Sequence, residues 1–352
     1  MTKIRVAIIG QGRSGRDIHA FSLSQMKDRF EIVAVADRLQ ERLDRAQEEL
    51  NCDVYSDYQD LFKRNDLDLI VNASPSNYHY SITKEILENG FNVLCEKPLA
   101  RTAAEVDVLI ETAKQSGKLL AVYQQSRYAP AYRKIQEIIQ SGAIGRVVQV
   151  SIAYNNFARR WDWQTLKANH GGNLLNTGPH PVDQALQFYG SETMPKITSI
   201  MDRANTAGDA EDYVKVILHG AGRPVIDVEI SSCCAYPSFT YNVQGTSGGI
   251  KGSTTHLDWK YFNPDEAPKL ELVTEPLVNA NNEPAYCREE LRWVEESWDI
   301  PEHEGKHLFH TMAQSFYGML YNTLVHGKEL EVTPQQVRQQ IAVMEECHRQ
   351  NP

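Results

Sequence analysis

The sequence predicts an α/β protein in which a doubly wound parallel sheet is followed by an α+β domain with a mainly antiparallel sheet. Over residues 1–125, short apolar runs alternate with segments of helical periodicity, which is typical of a parallel sheet with crossover helices. A glycine-rich turn joins the first apolar run to the first helix. After Gly145, strands of alternating polarity follow one another largely without helices between them, which indicates antiparallel pairing.

The first forty residues form the most informative unit. A strand at residues 4–9 is followed by Gly10-Gln11-Gly12-Arg13-Ser14-Gly15, a helical segment, a second strand at residues 32–36, and Asp37. In a dinucleotide-binding turn, Gly10 reverses the chain, Gly12 lets the backbone approach a pyrophosphate, and Gly15 lets the helix pack closely on the strand. The free N–H groups at the helix N-terminus then face the phosphates. An ordinary βα turn without a ligand is the alternative.

Asp37 and Arg38 bear on the choice between NAD and NADP. Asp37 lies about 20 residues after the glycines, where a carboxylate accepts hydrogen bonds from the adenosine ribose and repels a 2′-phosphate. Arg38 would attract that phosphate, unless it is a solvated side chain at a helix start. The pair favours NAD as the cofactor and leaves NADP open.

The pattern also predicts the remaining elements and a division into two domains. In the first half these are strands at 67–73, 92–95 and 119–123, helices at 77–89 and 102–116 that end at Gly90 and Gly117, and a linking helix at 129–140. In the second half they are strands at 147–154, 213–218, 224–230 and 239–243, and helices at 171–190, 302–326 and 334–348, the last with Thr333 as N-cap. Residues 262–300 are weakly periodic and are predicted to form an excursion or arm.

We expect a dinucleotide-binding domain at 1–127 and a substrate-binding and oligomerisation domain at 128–352, whose last helix can pack back on the first domain.

Composition excludes several classes of protein. The net charge of −10, without any basic run, argues against a nucleic-acid partner, and no apolar stretch is long enough to cross a membrane. The chain enters its first strand without a signal peptide, and its six cysteines form no CxxC pair, so we expect reduced thiols and a cytoplasmic protein. No metal is expected, although residues 303–307 match the HExxH pattern, because Pro301 and Gly305 disfavour the long helix that a zinc site of this type needs.

Glu96-Lys97-Pro98 follows a predicted strand at the carboxyl edge of the parallel sheet, where doubly wound folds bind ligands. A lysine there hydrogen-bonds a substrate hydroxyl, and partial desolvation lowers its pKa toward the working pH. Lys97 is therefore a candidate catalytic residue. A solvated Glu–Lys pair at a strand end is the alternative.

A second polar cluster lies in residues 171–183. Asn176, His180 and Asp183 are spaced i, i+4 and i+7, so on a helix they share one face. Histidine is the usual proton shuttle near neutral pH, and a neighbouring side chain can fix its tautomer. Two prolines in this segment are awkward inside a helix, so we expect a break near Thr177. The alternative is a half-buried histidine that caps a helix.

The loop before this cluster carries two arginines and two tryptophans. Such side chains hydrogen-bond and stack on sugars. The candidate substrate contacts are therefore Arg159, Arg160, Trp161 and Trp163, with Lys97, Asn176, His180 and Asp183. A packed loop with a solvated arginine pair is the alternative.

Together these motifs resemble the Gfo/Idh/MocA family, which groups glucose–fructose oxidoreductases, inositol dehydrogenases and related sugar dehydrogenases. The shared order is the glycine turn, Pro75-x-x-x-His79, Glu96-Lys97-Pro98, Arg127 and the Gly171-Gly172…His180-x-x-Asp183 block. The resemblance covers the whole chain and is weakest from residue 255 to 300. It implies a Rossmann domain, an open-faced sheet domain, and hydride transfer between a nicotinamide and a sugar or cyclic polyol.

The resemblance also implies individual roles. The family's catalytic lysine and histidine correspond to Lys97 and His180. Its cofactor contacts correspond to Gly10, Gly12, Arg13, Ser14, Gly15, Asp37, Arg38, Ser74, Pro75, Asn77, His79, Glu96, Lys97 and Arg127. A homodimer or homotetramer is implied, and we expect apolar residues of strands such as 225–230 to be covered by another subunit.

One departure from the family pattern bears on mechanism. Inositol dehydrogenases carry an aspartate four residues before the histidine, where this chain has Asn176. An amide orients by hydrogen bonds but adds no charge, so we expect Lys97 to be the base and His180 and Asn176 to position the substrate. The sequence predicts an NAD(P)-dependent oxidoreductase acting on a secondary hydroxyl of a sugar, glycoside or cyclic polyol. Two alternatives stay open: an NAD-dependent glycosidase that uses transient oxidation, and a non-catalytic dinucleotide-binding regulator.

Overall fold

The computed structural model of the protein describes residues 2–190 and 193–352, so residue 1 of the predicted first domain and residues 191–192 of the second lie outside it. The first half folds around a six-stranded sheet in the order β3-β2-β1-β4-β5-β6, in which all neighbours are parallel. Its strands are Ile4–Ile9 (β1), Phe30–Ala36 (β2), Asp53–Tyr55 (β3), Leu69–Asn72 (β4), Val93–Cys95 (β5) and Leu120–Val122 (β6). The strand order reverses between β1 and β4, and sheets of this kind bind ligands at the carboxyl ends of such strands.

Helices connect these strands. They are a π-helical segment Ser14–Ala20 that continues into Phe21–Ser24 (α1), then Gln40–Leu50 (α2), His79–Glu88 (α3), Ala103–Ser116 (α4) and Pro130–Gln140 (α5), with 3₁₀ turns at Tyr58–Lys63, Ser76–Tyr78 and Gln125–Tyr128. The limits of α4 follow from local chemistry. Thr102 and Glu105 form a capping box at its start, and Gly117 ends it in the left-handed conformation.

The second half contains an eight-stranded sheet in the order β14-β13-β12-β11-β7-β10-β9-β8. Its strands are Val147–Asn155 (β7), Lys196–Asp202 (β8), Tyr213–His219 (β9), Val225–Ser231 (β10), Tyr241–Gly245 (β11), Gly248–Gly252 (β12), His256–Phe262 (β13) and Trp293–Asp299 (β14). Among the strands formed by the described residues, only the β7–β10 pair of this sheet is parallel, and its other pairs are antiparallel. The predicted fold class is therefore confirmed.

Each face of this sheet has a distinct character. In β10, Ile226, Val228 and Ile230 are buried inside the chain. On the opposite face, Lys215 forms ion pairs with Asp227 at 2.8 Å and Glu229 at 3.1 Å. Ile226, Val228 and Ile230 thus belong to this chain's own core and are not left for a second subunit to cover, contrary to the expectation from sequence, whereas Val225 is 41% exposed. The alternation of the strand fixes two faces but not which of them the chain itself covers.

Helices close the second half. They are Asn173–Asn176 (α6), Pro179–Tyr189 (α7), Glu302–Gly305 (α8), Leu308–His326 (α9) and Pro334–Gln350 (α10), with 3₁₀ turns at Trp163–Thr165 and Lys167–Asn169. The break expected near Thr177 is confirmed, because it separates α6 from α7. The single helix expected at 302–326 is wrong, since the chain breaks between α8 and α9. The arm expected at 262–300 is wrong at its end, where β14 pairs with β13 along seven residues.

The C-terminal helices return to the first half of the chain. Glu345 on α10 accepts a hydrogen bond from Ala103 N at 2.8 Å, and Tyr321 on α9 donates one to Thr2 O at 3.1 Å. The same α10 holds the second sheet, because Ser199 N donates to Gln350 Oε1 at 2.8 Å. Among the described residues, no helix combines the length and the apolar character that membrane crossing requires.

Candidate active site

The glycine turn after β1 leaves room for a ligand at one position. Gly10 has a φ of 89°, and a Cβ there would collide with the carbonyl group of Ala73. A Cβ on Gly15 would overlap the carbonyl oxygen of Gly10. A Cβ on Gly12 would meet nothing closer than a guanidinium nitrogen of Arg42 at 3.7 Å. The fold itself needs Gly10 and Gly15, whereas the space beside Gly12 fits the pyrophosphate that such turns hold.

Asp37 is tied to this turn by hydrogen bonds. Its Oδ2 accepts from Gln11 N at 2.7 Å, and its Oδ1 accepts from Leu39 N at 2.9 Å. Arg42 on α2 lies 3.3 Å from Oδ2, a contact that no sequence motif signalled. Arg38 instead stacks its guanidinium 5.7 Å from the ring centre of Tyr78. The carboxylate therefore lies at the end of β2 beside the glycine turn, with the guanidinium of Arg42 next to it.

The loop after β4 is held by His79, the first residue of α3. Its Nδ1 lies 2.7 Å from Pro98 O and its Nε2 lies 2.8 Å from Ser74 O. Ser74 Oγ donates to Asn72 Oδ1 at 2.7 Å. His79 is buried, so it joins the segment at 74–79 to the segment that carries Lys97 and does not present its ring to a ligand. Between Ser74 and His79, Pro75 precedes the 3₁₀ turn Ser76–Tyr78, and Asn77 lies on that turn.

Lys97 follows β5 and reaches the second half of the chain. Its Nζ donates a hydrogen bond to the main-chain oxygen of Asn176 at 2.8 Å. Loss of solvation lowers the pKa of Lys97, the Glu96 carboxylate raises it, and the guanidinium of Arg13 lowers it. Two of its three N–H donors are left for other partners. An amine held in this way can exchange a proton with a hydroxyl group near neutral pH.

His180 lies in the first turn of α7. Its Nδ1 is 3.2 Å from Ser126 Oγ, on the 3₁₀ turn after β6. Desolvation, and next the positive charge of Lys97, lower the pKa of His180 to about 3. The structure thus brings Lys97 and His180 to one place and keeps the imidazole neutral. Ser126 carried no signal in the sequence, because its role arises from a contact between distant segments.

Asn176 is oriented by the loop that precedes it. Its Oδ1 accepts from Gln164 Nε2 at 3.0 Å, and Gln164 Oε1 accepts from Arg160 Nη2 at 2.6 Å. Arg160 is held in turn by Asp162 at 2.7 Å. Because the oxygen of the Asn176 amide is occupied, its NH₂ end is the end available to a ligand. Gln164 is a second residue that the motifs did not identify.

Asp183 and Arg127 contact each other. Both carboxylate oxygens accept from the guanidinium at 2.7 Å, and Asp183 is 1% exposed. Arg127 also donates to Glu331 O at 2.7 Å and to Gln336 Oε1 at 2.8 Å. Asp183 lies three residues after His180 on α7, but both of its carboxylate oxygens are held by Arg127. The pair joins the first half, α7 and the segment before α10.

The loop at 158–163 is largely at the surface. Trp161 is 82% exposed and Trp163 is 45% exposed, and Arg159 is exposed as well. Trp163 directly precedes Gln164, which contacts Asn176. The exposed rings therefore lie along the chain beside the residue that orients Asn176.

Comparison with known proteins identifies the family. A sequence model described as an oxidoreductase family with an NAD-binding Rossmann fold matches residues 4–124, and a model of the GFO/IDH/MocA C-terminal domain matches residues 132–251. The chain belongs to the GFO/IDH/MocA family of oxidoreductases. The GFO/IDH/MocA resemblance expected from the sequence motifs is thus confirmed, and an NAD-binding fold holds the glycine turn described above.

Relatives of this GFO/IDH/MocA protein differ in activity. D-glucoside 3-dehydrogenase of Escherichia coli is 31% identical over 204 residues, which cover 56% of each chain. 2,7-anhydro-N-acetylneuraminate hydratase of Mediterraneibacter gnavus is 27% identical over 258 residues, covering 71% of this chain and 67% of that protein. The crystal structure of the WlbA dehydrogenase from Bordetella pertussis with NADH and UDP-GlcNAcA has a TM-score of 0.80 at 20% identity, covering 99% and 95% of the two chains. The structural match extends the shared fold to nearly the whole chain.

Proposed function

We propose that the protein is an NAD-dependent dehydrogenase that oxidises a secondary hydroxyl of a sugar, glycoside or cyclic polyol to a ketone, or catalyses the reverse reaction. The observation that carries this proposal is the contact of Lys97 Nζ with Asn176 O at 2.8 Å. It brings an amine from the dinucleotide-binding half to the segment of the second half that carries His180. A half-buried amine and a neutral imidazole that meet beside an NAD-binding domain suit proton transfer from an alcohol.

The residues of the first half fit the cofactor. Gly12 would lie against the pyrophosphate, with Arg13, Ser14 and Gly15 at the helix start. Asp37 would accept hydrogen bonds from the adenosine ribose, which supports NAD over NADP. When bound, the nicotinamide supplies the acceptor or donor of the hydride. Further contacts are proposed for Gly10, Arg38, Ser74, Pro75, Asn77, His79, Glu96, Lys97 and Arg127, of which His79 and Arg127 act through the segments that they hold.

Lys97 is proposed as the base. Desolvation, the largest influence on its pKa, favours the neutral amine, which takes the hydroxyl proton at Nζ during oxidation and returns it during reduction. The hydrogen bond to Asn176 O fixes the direction of the side chain. His180, neutral and anchored by Ser126, positions the same hydroxyl.

Substrate recognition is proposed for the second half. The NH₂ group of Asn176 would donate to a hydroxyl or ring oxygen of the substrate, with Arg160 placed behind it through Gln164. Trp161, Trp163 and Arg159 are exposed side chains on which a sugar ring can stack or bond. Asp183 acts through Arg127, whose guanidinium occupies both of its oxygens. The E. coli relative named for a D-glucoside supports this substrate class.

We also propose a cytoplasmic protein that forms a homodimer or homotetramer through the open face of its second sheet. All six cysteines are free, which supports a reducing compartment. The open face carries ion pairs such as Lys215 with Asp227, so the proposed interface is polar. Light scattering at micromolar concentration tests it, and a monomer would refute it.

A second candidate function comes from the hydratase relative. A reaction in which the substrate is oxidised and later reduced on the same enzyme would need the same Lys97 and His180 but would consume no cofactor overall. A hydratase adds or removes water without net oxidation, so a relative of that name at 27% identity favours a reaction with no net change in the cofactor.

One experiment separates these functions. Purified protein is incubated with NAD⁺ or NADP⁺ and a panel of hexoses, inositols and glycosides, and both nicotinamide absorbance and substrate are followed. A dehydrogenase accumulates reduced cofactor in proportion to the ketone formed. Substrate turnover without accumulation would favour transient oxidation, and binding without turnover across the panel would favour a regulator.

A further inference from the structure

A buried hydrogen-bonded chain runs from the C-terminal half of the molecule to Glu96. Tyr317 Oη on α9 lies 2.7 Å from His19 Nδ1, and His19 Nε2 lies 3.2 Å from Glu96 Oε1. Glu96 Oε2 accepts from the main-chain N–H of Lys97 at 3.0 Å. Tyr317 and His19 are fully buried, and Glu96 is 4% exposed.

The chemistry of the groups fixes the direction of the chain. A carboxylate only accepts hydrogen bonds, so His19 Nε2–H must be the donor to Glu96. In the neutral imidazole, Nδ1 is then an acceptor and takes the hydrogen of the Tyr317 hydroxyl. The hydrogen bond from Tyr317 thus favours the tautomer of His19 whose Nε2–H donates to Glu96. All three contacts point toward the carboxylate beside Lys97.

Three segments that are far apart in sequence meet here. His19 lies in the last turn of the π-helical segment Ser14–Ala20, Glu96 follows β5, and Tyr317 lies 298 residues from His19. The ring of Tyr123, after β6, packs edge-on to His19 at 4.6 Å between centroids. Its hydroxyl has no hydrogen-bond partner within the described part of the chain, so it offers Glu96 no competing donor contact there.

We propose that His19 and Tyr317 are positioning residues that hold the ionised Glu96 carboxylate in place and thereby control when the Lys97 amine loses its proton. The inference rests on the proposed role of Lys97 as the base and adds the residues that set the pH at which its amine loses a proton. Both side chains are fully buried and out of reach of a substrate, so both act through Glu96.

The charges around Glu96 support this role. Burial raises the pKa of Glu96, but the hydrogen bond from His19 and neighbouring positive charge, including that of Lys97, lower it by more, and the net pKa falls below the usual range. The groups that face Glu96 from the surrounding elements are His19, His79, Lys97, Tyr123 and Tyr317. Glu96 in turn favours the charged form of Lys97. Loss of the His19 donor should let Glu96 take up a proton and so release the Lys97 proton at lower pH.

Two substitutions at position 19 separate positioning from simple packing. The amide nitrogen of glutamine can take the place of Nε2, so His19→Gln keeps a donor toward Glu96. The shorter asparagine reaches only the place of Nδ1, so His19→Asn loses that donor. Tyr317→Phe removes only the hydroxyl that selects the tautomer.

The test measures the pH at which Lys97 becomes reactive. Ligand-free protein is acetylated briefly over a range of pH, and labelling at Lys97 is quantified by mass spectrometry, with Lys84, a surface lysine paired to Glu88, as internal control. We expect His19→Asn to move the Lys97 midpoint down by roughly one pH unit, Tyr317→Phe to move it down by less, and His19→Gln to restore it. The Lys84 midpoint should not move.

An unchanged or raised Lys97 midpoint in a folded His19→Asn protein, or a glutamine variant that behaves like asparagine, would overturn the inference. Labelling needs no substrate, so its result is independent of the dehydrogenase assay. A shifted midpoint in a protein without turnover would refute the proposed function alone, and an unshifted midpoint in an active enzyme would refute the inference alone.

Discussion

Gln164 donates a hydrogen bond to the side-chain oxygen of Asn176 at 3.0 Å, and this contact decides which end of the Asn176 amide is available to a substrate. The main-chain oxygen of the same residue accepts from Lys97. Asn176 thus joins the loop at 158–163 to the proposed base. A carboxylate at this position would accept the same Gln164 hydrogen bond but would bring a negative charge close to Lys97 and His180.

The substitution Asn176→Asp is therefore expected to keep the fold and shift the pH dependence of kcat/KM. A carboxylate favours the protonated forms of both Lys97 and His180, so the ascending limb should move to higher pH by roughly one unit. The measurement is kcat/KM against pH with the best substrate of the panel. Asn156→Asp adds the same charge at an exposed position and serves as control. A limb at its wild-type position would contradict the placement of Asn176 beside the base.

Gly12→Val is expected to abolish dinucleotide binding without unfolding the protein. The added side chain enters the open space beside Gly12, where the fold has no close contact but a pyrophosphate would lie. Calorimetric titration with NAD gives the affinity, and the melting temperature of the ligand-free variant gives the fold. Unchanged NAD affinity in a folded variant would exclude this turn as the cofactor site.

Cofactor preference is expected to depend on Asp37. Replacing it in Asp37→Ser removes a negative charge near the proposed ribose site, next to Arg38 and Arg42, so the ratio of kcat/KM for NAD to that for NADP should fall. Asp44→Ser on the exposed side of α2 should leave the ratio unchanged. A wild-type enzyme that already prefers NADP would show that Asp37 has been misread.

The buried pair of Asp183 and Arg127 is expected to stabilise the junction between the two halves. Asp183→Asn leaves a guanidinium that is 10% exposed without its carboxylate, which should lower the free energy of unfolding by about 3–5 kcal/mol. The matched control is Asp107→Asn, which breaks the exposed pair with Arg338 and should cost less than about 1 kcal/mol. Denaturant unfolding measures both. Equal small losses would mean that the buried pair is not structural.

The sequence allowed the parallel sheet to be predicted because its strands are buried on both faces and therefore read as apolar runs. The strand β3 was missed because it has three residues and lies at the sheet edge, and β14 was missed because Trp293–Asp299 is mostly exposed and shows no alternation. The strands β8, β12 and β13 were missed in the second sheet as well, where β12 is largely glycine.

The residues of the proposed site also fall into two groups, those that the sequence revealed and those that it did not. The glycine turn, Lys97 and His180 stand out because each lies in a short motif with its own chemistry. Ser126, Gln164 and His19 do not, because each acts through a partner from another segment, and a pair such as His19 with Tyr317 has no spacing that a local pattern can reveal. Asn176, His180 and Asp183 were assigned to one face from an ideal helical spacing, but the break at Thr177 puts Asn176 on a different helix from the other two, and the Asp183 carboxylate is taken up by Arg127.

The proposed role of Lys97 is tested most directly by the turnover of Lys97→Ala with saturating cofactor and substrate. We expect kcat to fall by about 10²–10⁴ while NAD affinity, measured by calorimetry, stays near the wild-type value. Lys84→Ala should have no effect, and His180→Ala should lower kcat/KM with a larger rise in KM. Near-wild-type turnover of Lys97→Ala together with an inactive His180→Ala would contradict the assignment and make the histidine the base.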